Sequence, residues 1–123
     1  MLFLILQTIL EKKKYGKALN VLKELKYQKE PTQKILITLY NHFKKLYFTK
    51  KAIELGKKDF IQILNLKPNQ EFLVSKYKAQ ANSFEIIDLK NLLLSLSDLD
   101  YQSKSGNIDL DIGLESILCK YCS

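Results

Sequence analysis

The chain has 123 residues, 46% hydrophobic and 27% charged, with four glycines and two prolines, which describes one globular core rather than a disordered tail. One histidine and two cysteines leave a multi-ligand zinc site or a disulfide scaffold without material, and because all 20 basic residues are lysine, arginine fingers and bidentate arginine clamps on phosphate are excluded. The net charge of +7 is uneven: residues 1–78 hold 17 lysines against six acids, residues 79–123 three lysines against seven.

Met1 to Leu10 is almost wholly apolar. No basic segment precedes it, no small-residue cleavage site follows, and it runs straight into Glu11-Lys12-Lys13-Lys14, so it does not read as a signal peptide. It is about half the length a helix needs to cross a bilayer. The expectation is a buried first helix over Met1–Lys13, or a helix cut from a longer chain, in a cytoplasmic protein with reduced thiols.

A second helix, Tyr15–Tyr27, follows a break near Gly16 and aligns Ala18, Leu19, Leu22 and Leu25 on one stripe. Pro31 suits the first turn of a third helix, where its missing N–H costs nothing. Ile35, Leu36, Leu39, Phe43, Leu46 and Tyr47 carry that helix toward Leu55, and Gly56 stops it. A short helix around Lys58–Leu64, the Lys67-Pro68 turn and a helix ending near Asn82 come next. Phe84–Lys104 reads as a long helix with Ile86, Leu89, Leu93 and Leu96 inward, Lys104 favourably placed in its last turn and Gly106 as a left-handed cap. Asp109 is the N-cap of a last helix carrying Leu110, Leu114, Ile117, Leu118 and Tyr121. No segment alternates with period two. The fold is all-α, a compact bundle of about five to seven helices in one domain, 1–123.

Chemistry-bearing constellations are sparse. Cys119-Lys120-Tyr121-Cys122 has C-x-x-C spacing, but at a helix C-terminus, where the dipole opposes a thiolate, so it reads as two small apolar residues at a fraying end. His42 lacks a serine or cysteine partner at recognisable spacing and reads as a helix-face or half-buried histidine. Four isolated glycines build neither a phosphate loop nor a dinucleotide fingerprint. Catalytic, cofactor and metal residues are therefore expected to be none. The uneven charge has three readings: nucleic-acid contact through lysines such as Lys44, Lys45, Lys76 and Lys78, solvated helix faces, or complementary faces on neighbouring subunits. Asp59–Leu66 and Gln70–Ala81 around Lys67-Pro68 also resemble a helix-turn-helix, which would suit a free-standing DNA-binding module. Asp98, Asp111 and Glu115 are expected to face outward and to meet a partner.

Three stretches carry a family resemblance: Lys29-Glu30-Pro31 before a helix with Asn41-His42-Phe43-Lys44-Lys45-Leu46; Leu64-x-Leu66-x-Pro68 leading to Val74-x-Lys76-Tyr77; and Asp100-x-x-x-Lys104-Ser105-Gly106-x-x-Asp109. In order and spacing they resemble the C-terminal domain of the delta subunit of bacterial DNA polymerase III, a clamp loader component. The resemblance implies a helical collar domain that packs beside the gamma/tau and delta-prime subunits, so that the loader can place the sliding clamp on DNA during replication. It implies no intrinsic enzymatic activity, although the parent holoenzyme is a DNA-directed DNA polymerase. It also implies a fragment lacking the ATPase-type and clamp-binding modules, which should bind neither ATP nor the sliding clamp, with DNA contact open to it through the complex and no membrane involved. Pro31 and Phe43 match a helix start and a core position; Lys104, Gly106 and Asp109 match the loop between the last two helices. His42, Lys44 and Leu110 stand where the family usually has glutamine, arginine and proline.

Overall fold

Where this chain leaves a helix, it does so mostly through a left-handed residue. Lys29, Gly56, Asn65 and Gly106 have φ of 61°, 69°, 55° and 77°. Each is followed by an N–H that reaches back over the helix end: Glu30 to the Leu25 carbonyl at 3.0 Å, Lys57 to Ala52 at 2.9 Å, Leu66 to Ile61 at 2.8 Å and Asn107 to Gln102 at 3.0 Å. These 6→1 bonds satisfy carbonyls that the helix itself leaves open. Gly56 and Gly106 take the conformation at no steric cost, as their positions in the sequence predict.

The computed structural model describes residues 6, 7, 9 and 12–122. The helices are α1 (Tyr15–Tyr27), α2 (Thr32–Glu54), the single turn α3 (Phe60–Ile63), α4 (Leu73–Ala81), α5 (Ile86–Lys104) and α6 (Leu110–Cys122), with a 3₁₀ turn at Pro68–Gln70 between α3 and α4. No strand occurs among the described residues, and the fold is all-α. The helix expected over Met1–Lys13 falls in large part outside the described residues, although Leu6 is buried in the core. The break before α1 lies at left-handed Lys13, not at Gly16, which is already inside the helix.

The long helix α2 is the axis of the bundle. It packs on α5, α4, α3 and α6, while α6 also packs on α5 and α1. Its buried set, Ile35, Leu36, Leu39, His42, Phe43, Leu46, Thr49 and Ala52, is a broad face rather than a narrow stripe, as a helix packed on several neighbours requires. Thr49 satisfies its buried hydroxyl by donating to the Lys45 carbonyl at 2.8 Å. Pro31 sits one residue before the first helical residue; its carbonyl accepts the N–H groups of Lys34 at 3.0 Å and Ile35 at 3.2 Å. Fully buried Phe43 meets the Phe84 ring edge-on at 5.7 Å. Phe84 therefore anchors the turn before α5 instead of opening that helix.

On α5 the inward residues are Leu89, Leu92, Leu96 and Leu99. The expectation named Leu89 and Leu96 but missed Leu92 and Leu99, because the run Leu92-Leu93-Leu94 lets a 3.6-residue period start in more than one phase. On α6, Leu114, Leu118 and Cys122 are buried. Gly113 lets α6 approach α5: a Cβ there would collide with the Leu99 side chain.

Candidate assembly surface

The acids of the last third meet the lysine-rich remainder at two places. Lys26 of α1 lies 3.5 Å from Asp111 Oδ1 and 3.6 Å from Glu115 Oε1, and the Thr32 hydroxyl donates to Asp111 as well. Beside this clamp, burial first and then the Glu115 and Cys119 charges push the Tyr15 hydroxyl up from its ordinary pKa. The second link joins α2 to α5: the Gln33 amide donates to Asp100, whose other oxygen is 3.1 Å from the Lys104 ammonium. The Gln33 bond first, and then Lys104, hold the Asp100 carboxyl below the ordinary aspartate value.

Asp111 and Glu115 were expected to face outward, toward a partner. Both are half-buried and engaged with Lys26, so part of their charge is matched inside the domain. Asp98 is different. It is exposed on α5 and makes no ion pair among the described residues. It stands at the rim of a groove of about 410 Å³ between α5 and α6, lined by Leu99, Ile108, Ile112, Gly113 and Ile117. Ile112 is 69% exposed there, on the side of α6 turned away from buried Leu114. The loop that shapes the groove is built as the sequence predicts: Lys104 in the last turn of α5, Gly106 left-handed, and Asp109 Oδ1 accepting the Ile112 N–H at 3.0 Å.

The lysines proposed for nucleic acid lie on the side of α2 and α4. Lys44, Lys76 and Lys78 are exposed and Lys45 is half-buried. Three of them lie on aromatic rings: Lys44 over Phe48 at 5.8 Å, Lys45 over Tyr77 at 5.8 Å and Lys78 over Phe60 at 4.3 Å. Lys50 donates to the last carbonyl of α4, that of Ala81, at 3.2 Å. A helix-turn-helix is not built here. Its first helix would be α3, a single turn of four residues, and a 3₁₀ turn intervenes before α4, which itself buries Tyr77 against His42. The cleft beside α3 and α4, of about 950 Å³, mixes Lys57, Lys58 and Lys78 with Asp59 and Glu71.

His42 is buried edge-on to Phe43, with ring centroids 5.6 Å apart. Cys119 is exposed, whereas Cys122 is fully buried, a core residue rather than part of a fraying end. Burial pushes its thiol up to about 12, opposed by Lys13, so it is not a poised thiolate. Among the described residues no group of three or more His, Cys, Asp or Glu is arranged to hold a metal ion, and no helix is long and apolar enough to cross a membrane.

The sequence reading missed the bare apolar residues of the last two helices and the loop between them: Ile87, Leu94 and Tyr101 on α5, Ile108 in the loop and Ile112 on α6. A signal existed. Ile87, Leu94 and Tyr101 recur every seven residues, outside the set that fills the core.

Residues 1–121 match the family model described as DNA polymerase III delta subunit, C-terminal domain. Among solved structures, the Bacillus subtilis DNA clamp loader delta protein (YqeN) is similar, with a TM-score of 0.84 and 25% identity. The match covers 98% of this chain and 35% of that one, so the chain spans about a third of the length of the protein it resembles. No curated protein matches the sequence.

Proposed function

The chain belongs to the family formed by the C-terminal domain of the DNA polymerase III delta subunit, and we propose that it works as an assembly module, a collar domain that joins the C-terminal domains of the gamma/tau and delta-prime subunits in a clamp loader. The observation that carries this reading is the groove between α5 and α6, where Ile108 and Ile112 stand exposed beside Asp98. Bare apolar residues next to a charge that forms no ion pair among the described residues are what a neighbouring helical domain would cover: the apolar side chains supply area, and the charge steers approach. The module needs no chemistry of its own. In this reading the ATPase-type and clamp-binding modules belong to the remainder of a longer delta subunit in the cytoplasm, and the module touches neither ATP nor the sliding clamp. DNA is reached through the complex, with Lys44, Lys45, Lys76 and Lys78 at hand on the opposite side. The alternative of a free-standing DNA-binding module is weakened by the single-turn α3, which leaves no two-helix unit to present α4 to a groove.

The test is to mix the chain with the gamma/tau and delta-prime C-terminal domains and size the product. A stable complex at physiological salt is expected, and Ile112→Glu should abolish it without changing the circular dichroism spectrum. Absence of any complex, together with retained affinity for duplex DNA that falls steeply with salt, would turn the reading to the DNA-binding alternative.

A further inference from the structure

Helix α5 has a second face. Opposite its four buried leucines, Ile87, Leu94 and Tyr101 are 57%, 59% and 68% exposed. Between them stand exposed Lys90, Asn91, Ser97 and Asp98. Neither Lys90 nor Asp98 makes an ion pair among the described residues. The strip runs roughly 21 Å along the helix at 1.5 Å per residue.

The order of side chains on this strip is self-complementary about its centre. Asn91 precedes Leu94 by as many residues as Ser97 follows it; Lys90 mirrors Asp98 in the same way, and Ile87 mirrors Tyr101. An isologous contact between two copies of one chain has this requirement: what stands on one side of the axis must complement what stands on the other. A positive charge mirrored by a negative one, and an apolar residue by an apolar one, meet it. We propose that a second copy of this chain packs antiparallel across α5 on a two-fold axis at Leu94. The two Leu94 side chains then meet, each Ile87 packs on Tyr101 of the second copy, and two Lys90–Asp98 ion pairs close the contact.

Charge decides the orientation and the kind of occupant. In a parallel pair in register, lysine would face lysine and aspartate would face aspartate, which is repulsive; the antiparallel pair turns both contacts attractive. The strip has one lysine and one aspartate and hence no net charge, in a chain whose other side is covered with lysine. Phosphate has nothing to hold here. Three apolar side chains per copy place the contact at the small end of specific interfaces, so the dimer is weak and forms at high protein concentration. The pairing rests on the α5 surface and not on the collar reading; the two are tested apart, because self-association is measured with no other protein present.

Sedimentation velocity of the 123-residue chain over rising concentration is the test. The mass should move from monomer toward dimer at concentrations on the order of 0.1 mM. Lys90→Asp and Asp98→Lys each place like charges at both crossing points and should weaken the dimer by roughly tenfold or more. An equimolar mixture of these two variants should pair again, because all-acidic crossing points on one chain meet all-basic ones on the other, and the double swap should restore self-association. Leu94→Glu should abolish it. All three positions are exposed, and unchanged circular dichroism melting confirms that each variant folds. A chain that stays monomeric to about 1 mM, a dimer indifferent to Leu94→Glu, or single variants that do not pair in the mixture would each overturn the proposal.

Discussion

The two long sides of the bundle differ in how lysines are placed beside their aromatic and apolar residues. On the α2–α4 side, Lys44 lies across exposed Phe48, and Lys45 and Lys78 lie across the buried rings of Tyr77 and Phe60, the closest with its ammonium 4.3 Å from the ring centre, while Ile37, Ile53 and Phe72 stay bare. On the α5–α6 side, Ile87, Leu94, Tyr101 and Ile112 stand bare, with few charges around them. A lysine that lays its methylene stem on a ring and holds its ammonium in water keeps that side solvated. On α6 Lys120 does this for Tyr121, with its ammonium 5.4 Å from the ring centre, but among the described residues no lysine lies over Tyr101 of α5. In the collar reading, lysine content therefore does not mark the surface offered to a partner. This inverts the emphasis that charge counting gives, in which the lysine-rich part attracts attention first.

The comparison can be broken most strongly at the seam beneath the bare side. Gly113→Val would drive a side chain into Leu99, and because Leu99 is itself buried, the displacement spreads into the α5–α6 packing. A loss of about 1–3 kcal/mol is expected from chemical denaturation, as for other overpacked sites. On the covered side, Lys78→Ala uncovers Phe60 and should cost about 0.5–1 kcal/mol in the same measurement, the range of an exposed cation–π contact. Equal losses at the two sites would mean that the lysine cover is as structural as the helix seam. The smallest effect concerns Asp100, which ties the two sides together through Gln33 and Lys104. Its folded-state pKa is depressed, so its contribution to stability is present above the ordinary aspartate value and is lost as pH falls through the folded one. Wild type should then lose an increment of melting temperature below about pH 4 that Asp100→Asn does not lose, with the difference between them constant above about pH 5. Parallel melting curves across that window would show that the Gln33 bond carries no ionic component.

One expectation about the acids changes with the structure. Charge counting takes Asp98, Asp111 and Glu115 as equivalent outward groups, which makes their joint replacement by lysine look like a test of the surface alone. Asp111 and Glu115 hold Lys26 and, through Asp111, Thr32 at the start of α2, so that replacement would also set a lysine against Lys26 and loosen α1 from α6. Exposed ion pairs are worth only about 0.2–1 kcal/mol each, so the fold would survive, weakened, but an assembly defect could no longer be read cleanly. Asp98 alone probes the surface without disturbing the interior.

The sequence alone carried the helical class, the extent of most helices and the caps at Gly56, Gly106 and Asp109, because each of these is decided within a few residues. A 3-4 apolar period needs one helix face, a left-handed glycine needs one helix end, and an aspartate N-cap needs the N–H three residues on. It also carried the family, through the order and spacing of segments whose single motifs are unspecific. The tertiary structure decided what depends on neighbours distant in sequence. Which phase of the Leu92-Leu93-Leu94 run turns inward is set by where α2 and α6 lie, and the same choice leaves Ile87, Leu94 and Tyr101 on the outside. Whether a lysine is a free charge or a lid on a ring depends on which helix brings an aromatic beneath it, as Lys45 finds Tyr77 on α4. Whether an acid is available to a partner depends on whether a lysine from another helix has already reached it: Lys26 reaches Asp111 and Glu115, and among the described residues none reaches Asp98. Local chemistry is written within a turn or two of helix, whereas exposure is a property of the packed bundle.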